Sequence, residues 1–379
     1  MSHIPGPAIA SRTGFWRLRD VRRESGHLTH IESHQQYGPL VRTGPNHIPL
    51  VTRRLYESHV ARKVRHSVPN EAYHRDQMRL VASAYSMSSL LEMEDAVDSC
   101  SGLLTKRLDE FATAGNCFDL GLQYHAFDVV GELTFDEKLG FLEHGIDVDG
   151  MMETMAGIFG YSIQCGQVSY MHKFLLGNPL ILFLILSMES WNQVLNFILK
   201  AINSRGTPNR NGELTTTEKG KVAEDQPSKW IAAKESNPTR FSTRDIVVHT
   251  SANVSAGSDT TAIALHAIFY NLVRNTSTMD NYKEFTAHFV GLLLERHVPP
   301  GGVEICNQHI PAGRIVGVNA WVMHRDPFVF PEPEKFLPER RIESGAERLK
   351  EMEASFFAVG TGSKDVYWEK LQLGGCGYD

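Results

Sequence analysis

The stretch Ala256-Gly257-Ser258-Asp259-Thr260-Thr261 sets a glycine, a carboxylate and hydroxyls into what otherwise reads as one apolar helix. Ser242 and Asp245 have capping-box spacing just before Ile246, Val247 and Val248, and apolar residues recur through Ala262, Ile263, Leu265, Ile268, Phe269, Leu272 and Val273. A helix over 243–274 is predicted; at 1.5 Å per residue it is roughly 48 Å long and needs a sizeable domain around it. Glycine and threonine are poor helix formers, and Ser, Asp and Thr side chains compete for backbone hydrogen bonds. The hexapeptide is therefore expected to loosen or widen the ladder locally. Breaks of this kind concentrate at functional sites.

Working outward, the chain reads as mainly α with a small β region. Val97, Leu104, Leu108 and Phe111 share one face among Lys106, Arg107, Asp109 and Glu110, and further helical patterns cover about 70–85, 121–138, 150–165 and 180–203. The first sixty or so residues are mixed, with a strand or hairpin expected in Leu40-Val41-Arg42 and His47-Ile48-Pro49-Leu50-Val51 around Gly44-Pro45-Asn46. After residue 290 the pattern changes to short strands, Leu292-Leu293-Leu294, Val303-Glu304-Ile305 and Ile315-Val316-Gly317-Val318, separated by turns at Pro299-Pro300-Gly301-Gly302 and Ile310-Pro311-Ala312-Gly313. The polar composition from Asn203 to Asn237 predicts a long exposed loop, bounded at 203–242, inside a single domain of residues 1–379. No internal repeat of solenoid period is present.

Composition narrows the function. A 379-residue chain that is 42% hydrophobic can bury a large core. With 38 basic against 44 acidic residues the net charge of -6 argues against nucleic acid or an anionic surface as partner. Cys100, Cys117, Cys165, Cys306 and Cys376 are widely spaced, with no Cys-x-x-Cys pair, which fits a reducing compartment better than a disulfide framework or a zinc site. The histidines read as scattered, without the His-x-x-x-His or carboxylate spacing of a His-based iron or zinc site. Gly360-Thr361-Gly362-Ser363-Lys364 fails as a phosphate loop because its lysine does not directly follow the final glycine and no Ser or Thr comes after it. Met1 to Thr13 shows no secretory signal, being broken by Pro5 and Pro7. The most apolar run, Leu180 to Leu186, is shorter than the ~20 residues a membrane-spanning helix needs. It reads as a buried helix or subunit contact, or else as a shallow, peripheral membrane contact.

The order of these features resembles the cytochrome P-450 family of heme-thiolate monooxygenases, and in detail its fungal members that oxidise aromatic or secondary metabolites. The hexapeptide matches the family's oxygen-activation motif. Ile4-Pro5-Gly6-Pro7 resembles the proline-rich hinge that follows the membrane anchor, and Tyr73-His74-Arg75-Asp76-Gln77-Met78-Arg79-Leu80 resembles the helix whose arginine reaches a heme propionate. His324-Arg325-Asp326-Pro327, followed by Pro333-Glu334-Lys335-Phe336 and Pro338-Glu339-Arg340, is similar to the signature on the meander side. Phe356-Phe357-Ala358-Val359-Gly360-Thr361-Gly362-Ser363 is similar to the start of the heme-binding loop. The resemblance covers most of 1–275 and 291–363.

It implies a cytochrome P-450-like fold, heme and dioxygen as reactants, a small apolar substrate, and electrons from an NADPH-dependent flavoprotein reductase. It also implies a place at the endoplasmic reticulum membrane, with this chain cytoplasmic or peripheral because no anchor is read in it. A thiolate behind heme iron favours O–O cleavage when protons arrive in a controlled way on the distal side. By resemblance, Asp259 and Thr260 are the acid–alcohol pair that delivers those protons, and Gly257 leaves room for dioxygen. Arg75 or Arg79, together with Arg296, would neutralise the propionates, Gly362 belongs to the heme loop, and Arg340 belongs to an ion-pair network on the proximal side.

Two parts of the family pattern are missing. No Glu-x-x-Arg stands between Leu272 and Leu292, and the interval is too short for the helices the family places there. Glu295-Arg296 is adjacent and cannot put both side chains on one helical face, so Arg340 lacks its expected partner. Laying Phe-x-x-Gly-x-Arg-x-Cys-x-Gly on Val359, Gly362, Lys364 and Val366 puts valine where the iron-ligating cysteine belongs and Trp368 where the last glycine belongs. Valine has no lone pair for iron, so no metal ligand is assigned. Residues 364–379 read as an aberrant tail, of the kind an altered reading frame or splice produces. An incomplete fold is expected, with proximal helices and heme loop missing or altered. Two functional readings follow: a monooxygenase by family that is impaired in this chain, or a non-catalytic remnant, a helical scaffold that binds an apolar ligand or a protein without heme.

Overall fold

The computed structural model describes residues 3–51, 71–86, 89, 91, 93–115, 121–168, 170–175, 178, 180, 193–205, 225–274, 294–337 and 339–357. Among them the helices of more than two turns are α1 (Phe15–Arg22), α2 (Gly26–Tyr37), α3 (Glu71–Val81), α4 (Glu94–Ala114), α5 (Leu122–Phe135), α6 (Met151–Gln167), α7 (Gln193–Arg205), α8 (Gln226–Ser236), α9 (Thr243–Arg274) and α10 (Ala346–Ala354). The strands are β1 (His47–Leu50), β2 (Leu294–His297), β3 (Val303–Ile305), β4 (Gln308–Ile310) and β5 (Ile315–Val318). The molecule is mainly α with a small β region, as its sequence implies. By its contacts the chain divides into two compact units. One comprises Met1–Glu71, Gly160–Leu175 and Ala267–Trp368; the other comprises Ala72–Phe159, Leu176–His266 and Glu369–Asp379.

The first unit is organised by β5, which pairs in parallel with β1 (His47 opposite Ile315, Leu50 opposite Val318) and antiparallel with β2 (Leu294 opposite Val318). Its buried Val316 and Val318 pack with Ile48 and Leu50, and a core of Ile4, Leu40, Val298, Met323 and Phe357 closes around them. The expected hairpin around Gly44-Pro45-Asn46 forms: Val41 donates to the Pro49 carbonyl (3.2 Å) and Thr43 to the His47 carbonyl (3.1 Å). Only its second arm is a regular strand. β2 runs Leu294–His297; residues 292 and 293 of the expected Leu292–Leu294 strand lie outside the described residues. β4 has no counterpart in the sequence reading, because Gln308-His309-Ile310 offers a single apolar side chain. It pairs with β3 through a two-residue turn in which Cys306 (φ 50°) and Asn307 (φ 59°) are both left-handed, the geometry that matches the twist of a tight hairpin.

The second unit is built on α9. Its start carries the predicted capping box, with Ser242 N–H donating to Asp245 Oδ2 (2.8 Å) and Asp245 N–H donating to Ser242 Oγ (3.3 Å). The buried residues of α9 are Ile246, Thr250, Val254, Ser258 and Ala262, one every four positions. That stripe lies down one side of the helix. Around Ile246 and Val254 pack Val81, Phe127, Val130, Phe135, Phe141, Met151, Met155, Ile198, Trp230 and Phe241. Each large side chain buried there contributes roughly 1.5–3 kcal/mol. Asp128 is wholly buried on α5, and its carboxylate accepts the backbone N–H groups of Gly140 (2.8 Å), Phe141 (3.1 Å) and Leu142 (2.8 Å), fixing the turn after α5.

The exposed loop expected over 203–242 needs correction at both ends. α7 continues to Arg205, and α8 occupies 226–236, with the Asp225 carboxylate accepting from Ser228 N–H (2.9 Å) and Pro227 in its first turn. Trp230 is 1% exposed and Phe241 is equally buried. Trp230 and Phe241 anchor a segment otherwise rich in polar residues, so average composition hides the helix. Residues 206–224, and with them the centre of the expected loop, lie outside the described residues, as do Ile181 to Leu186 of the apolar run. No helix among the described residues is long and apolar enough to cross a membrane.

Candidate functional site

The hexapeptide does not loosen the helix. α9 runs unbroken from Thr243 to Arg274 because its hydroxyls turn back on the ladder. Thr250 Oγ1 donates to the Ile246 carbonyl (2.8 Å), Ser258 Oγ to Val254 (2.6 Å) and Thr260 Oγ1 to Ala256 (2.6 Å). Each bond runs from a residue to the carbonyl four positions earlier, so the competing polar groups are satisfied without breaking the ladder. Ser258 is fully buried by this device, whereas Thr260 stands on the exposed side. With its hydrogen committed to Ala256, the Thr260 hydroxyl presents only lone pairs outward. The neighbouring Asp259 is half-buried and accepts a long hydrogen bond from Gln123 Nε2 of α5 (3.4 Å).

Gly257 lies where α9 and α5 come close together. A Cβ at this position would lie 2.7 Å from Val130 Cγ2, so the bare backbone is what lets α5 approach α9.

The cationic residues expected to face propionates fall into separate units. Arg79 is exposed on α3, while the side chain of Arg75, one turn earlier, lies outside the described residues. Arg296 belongs to β2, opposite Val316, and its Nη1 donates to the Glu295 carbonyl (2.9 Å). The Glu295 carboxylate is taken by Arg17 (3.0 Å). Arg340 Nη2 donates to the carbonyls of Glu332 (3.0 Å) and Lys335 (3.1 Å), so this arginine holds the meander by its backbone.

The His324-Arg325-Asp326-Pro327 segment holds the chain at Phe356-Phe357, the residues whose sequence resembles the start of a heme-binding loop. His324 is buried, and its Nε2 accepts the backbone N–H of Phe357 (2.9 Å). Its ring also stacks on Phe356 with centroids 5.3 Å apart. Arg325 sits over the Trp321 ring and pairs with Glu334 (3.2 Å), and the Asp326 carboxylate accepts from Phe328 N–H (3.0 Å). The sequence marks these residues as a motif; the acceptor role of His324 has no signature at sequence level. Gly362 and Val366 lie beyond the described residues.

Possible metal donors are few among the described residues. Cys100 and Cys165 are buried and Cys306 sits in the β3–β4 turn. Burial pushes the Cys100 thiol up to about 11, so it stays protonated near neutral pH. No three His, Cys, Asp or Glu side chains converge on a metal-sized space among the described residues. The histidines are nevertheless not all scattered: His30-Ile31-Glu32-Ser33-His34 has the His-x-x-x-His spacing, and both rings are buried on α2. They serve structure instead. Asn319 Nδ2 donates to His30 Nδ1 (2.8 Å), and His34 Nδ1 lies 3.0 Å from the Gly38 carbonyl. Burial lowers the pKa of His30 to about 4, with the nearby His34 and Arg17 acting in the same direction. Its 4.0 Å contact with Asp20 is therefore not an ion pair near neutral pH.

Comparison with known proteins places this geometry. The family model described as Cytochrome P450 matches residues 50–284 and 286–362. The cytochrome P450 monooxygenase cicH of Emericella nidulans is 31% identical over 434 aligned positions, covering 98% of this chain and 84% of that protein. A cytochrome P450 monooxygenase of Aspergillus terreus is 28% identical across 96% of this chain and 85% of its own length. The cytochrome P450 monooxygenase pkfB of Emericella nidulans is 28% identical across 92% and 79%. With a family match over most of its length and fungal relatives aligned nearly end to end, the chain belongs to the cytochrome P450 family.

Proposed function

We propose that this chain is, by descent, a fungal secondary-metabolism monooxygenase that oxidises a small apolar metabolite with dioxygen and electrons from an NADPH-dependent flavoprotein reductase, and that its present sequence is impaired in that reaction. One observation carries the impairment: Val366 occupies the position of the iron-ligating cysteine. Heme, when bound in this family, supplies the centre at which dioxygen is reduced and cleaved. The distal residues suit such a group. Thr260 offers hydroxyl lone pairs on the open side of α9, and Asp259 beside it offers a carboxylate steadied by Gln123. The proximal residues do not suit it, because valine cannot donate to iron and no thiolate takes its place among the described residues. We therefore derive no oxygen-activating step for this polypeptide.

A second support is the alignment with cicH, which spans 434 positions although this chain has 379 residues, so the relative carries residues inside the aligned span that this chain lacks. The family match breaks at Phe285, within the interval where Glu-x-x-Arg and its helices are expected. The same observations favour the second reading, a scaffold that binds an apolar ligand or a protein without heme.

The test is the spectrum of the purified chain, reduced and exposed to carbon monoxide. Little bound heme and no thiolate-type Soret band are expected. A stoichiometric band of that type overturns the impairment. Val366→Cys in the same preparation separates loss of the ligand alone, which the substitution repairs, from loss of the whole proximal side, which it does not.

A further inference from the structure

α1 and α2 meet at the corner Arg22-Arg23-Glu24-Ser25-Gly26, where Glu24 turns the chain with φ 55°. Between them opens a cleft of about 150 Å³ lined by Trp16, Arg19, Asp20, Arg23, Ser25 and Thr29. Arg19 and Arg23 are exposed; Arg19 acts electrostatically on Asp20 in the same cleft, and neither arginine makes a salt-bridge contact within 4.0 Å of a carboxylate among the described residues. Ser25 precedes the first residue of α2, yet its hydroxyl makes no capping bond to that helix. Thr29 Oγ1 donates back to the Ser25 carbonyl (3.1 Å), placing a second hydroxyl on the same wall. The sequence Arg22-Arg23-Glu24-Ser25 also sets two arginines three and two positions before a serine. That is the spacing that basic-directed serine protein kinases read.

We propose that Ser25 is a phosphorylation site and that its phosphoserine is held in this cleft by Arg19 and Arg23. In the modification, Ser25 Oγ takes the γ-phosphoryl group of ATP: its bond to phosphorus forms as the bond to ADP breaks, and the hydroxyl proton passes to the kinase. The product carries about −1.5 to −2 charge at pH 7 and three acceptor oxygens. A guanidinium meets such a group through two parallel N–H···O bonds. The N–H groups of the first turn of α2 add donors from below. Two carboxylates oppose the new charge, Asp20 in the cleft and the adjacent Glu24. Burial already raises the Asp20 pKa, and a phosphate beside it raises it further, so proton uptake by Asp20 relieves part of that repulsion. The effect reaches the family motif. α2 meets the Ala320–Met323 turn through His27 against Trp321 and His30 with Asn319, and that turn leads directly into His324, which holds Phe357.

The experiment treats the full chain with ATP and the catalytic subunit of cAMP-dependent protein kinase, maps the phosphate by mass spectrometry, and follows thermal unfolding of modified and unmodified protein. Phosphate on Ser25, absent in Ser25→Ala, and a rise in Tm of roughly 2–4 °C are expected. Arg19 lies outside the two arginines that direct the kinase, so Arg19→Ala should still be modified but lose the rise relative to its own unmodified form, and Arg19→Lys should keep most of it. No incorporation at Ser25, incorporation without a rise, or a full rise in Arg19→Ala overturns the proposal.

Discussion

Gly257→Ala tests whether close packing, and not room for a diatomic gas, explains the glycine in α9. Two effects oppose each other. Alanine in a helix interior is favoured over glycine by about 1 kcal/mol, because glycine loses more backbone freedom on folding. Against this, the new methyl would stand 2.7 Å from Val130 Cγ2, more than 1 Å inside ordinary carbon contact. Val130 is only 7% exposed. It is also β-branched, with a single side-chain torsion, so it has no long arm to swing aside. Overpacking of a tight core costs about 1–3 kcal/mol, and the depth of this clash puts it in the upper half of that range. The expected net result is a loss of about 1–2 kcal/mol, read from equilibrium unfolding in urea.

The double variant supplies the control. Val130→Ala alone leaves a cavity and lowers stability by about 1–3 kcal/mol. In that background the clash is gone, and Gly257→Ala should stabilise by about 1 kcal/mol through helix propensity alone. The cycle therefore predicts a coupling of about 2 kcal/mol between the two sites. If Gly257→Ala stabilises equally in both backgrounds, Val130 does not press on residue 257, and the open-gap role returns.

Removing the Asp128 carboxylate with Asp128→Ala should leave three buried N–H donors unmatched and cost about 3 kcal/mol or more, measured by the same unfolding assay. Stability should also depend on pH through His30. Burial holds its folded pKa at about 4 against an ordinary value of 6.5. The unfolded chain then binds more protons between those values, so the contribution is complete above pH 6.5 and is lost as the pH falls toward 4, by about 3 kcal/mol in the limit. His47, lowered to about 4 by its own burial and by Arg17, works in the same window, and burial lowers His34 and His125 as well, so His30→Asn should remove only part of the slope. At Asp245, burial pushes the carboxyl up, but hydrogen bonds from Ser242 and Tyr73 outweigh it and hold the pKa below the ordinary value of 3.8. The advantage over Asp245→Asn should be full above about pH 4 and disappear under more acid conditions, as thermal melts across that range would show.

The helical body was legible because its signals are local. The capping box at Ser242 and Asp245, the apolar recurrence along 243–274 and the periodicity of 94–114 each lie within a few turns of one another. What escaped depends on partners far away in the chain. β4 exists because Gln308-His309-Ile310 can pair with β3 across a left-handed turn, and α8 exists because Trp230 and Phe241 find a core. Neither fact is present in polarity averages. At the candidate site, the residues themselves were readable and their tasks only partly so. Asp259 and Thr260 lie on the same helix as the motif that names them. The use of Gly257, by contrast, depends on Val130, and the use of His324 on Phe357. The His30 and His34 pair was plain in spacing yet required Asn319 and the Gly38 carbonyl to be understood.

The back-bonded hydroxyls of α9 bear on how such sites age. Thr250, Ser258 and Thr260 each close their hydrogen bond on the helix that carries them, so their geometry needs nothing from outside. A motif that is structurally self-sufficient can outlast the reaction for which it was selected, since no instability accumulates when the chemistry is gone. An iron-binding loop has no such insurance, because its order depends on the ion it holds. Were catalysis lost, one face of such a site should therefore erode quickly while the other stays intact for a long time. An intact Ala-Gly-x-Asp-Thr-Thr sequence then dates ancestry more securely than it certifies activity.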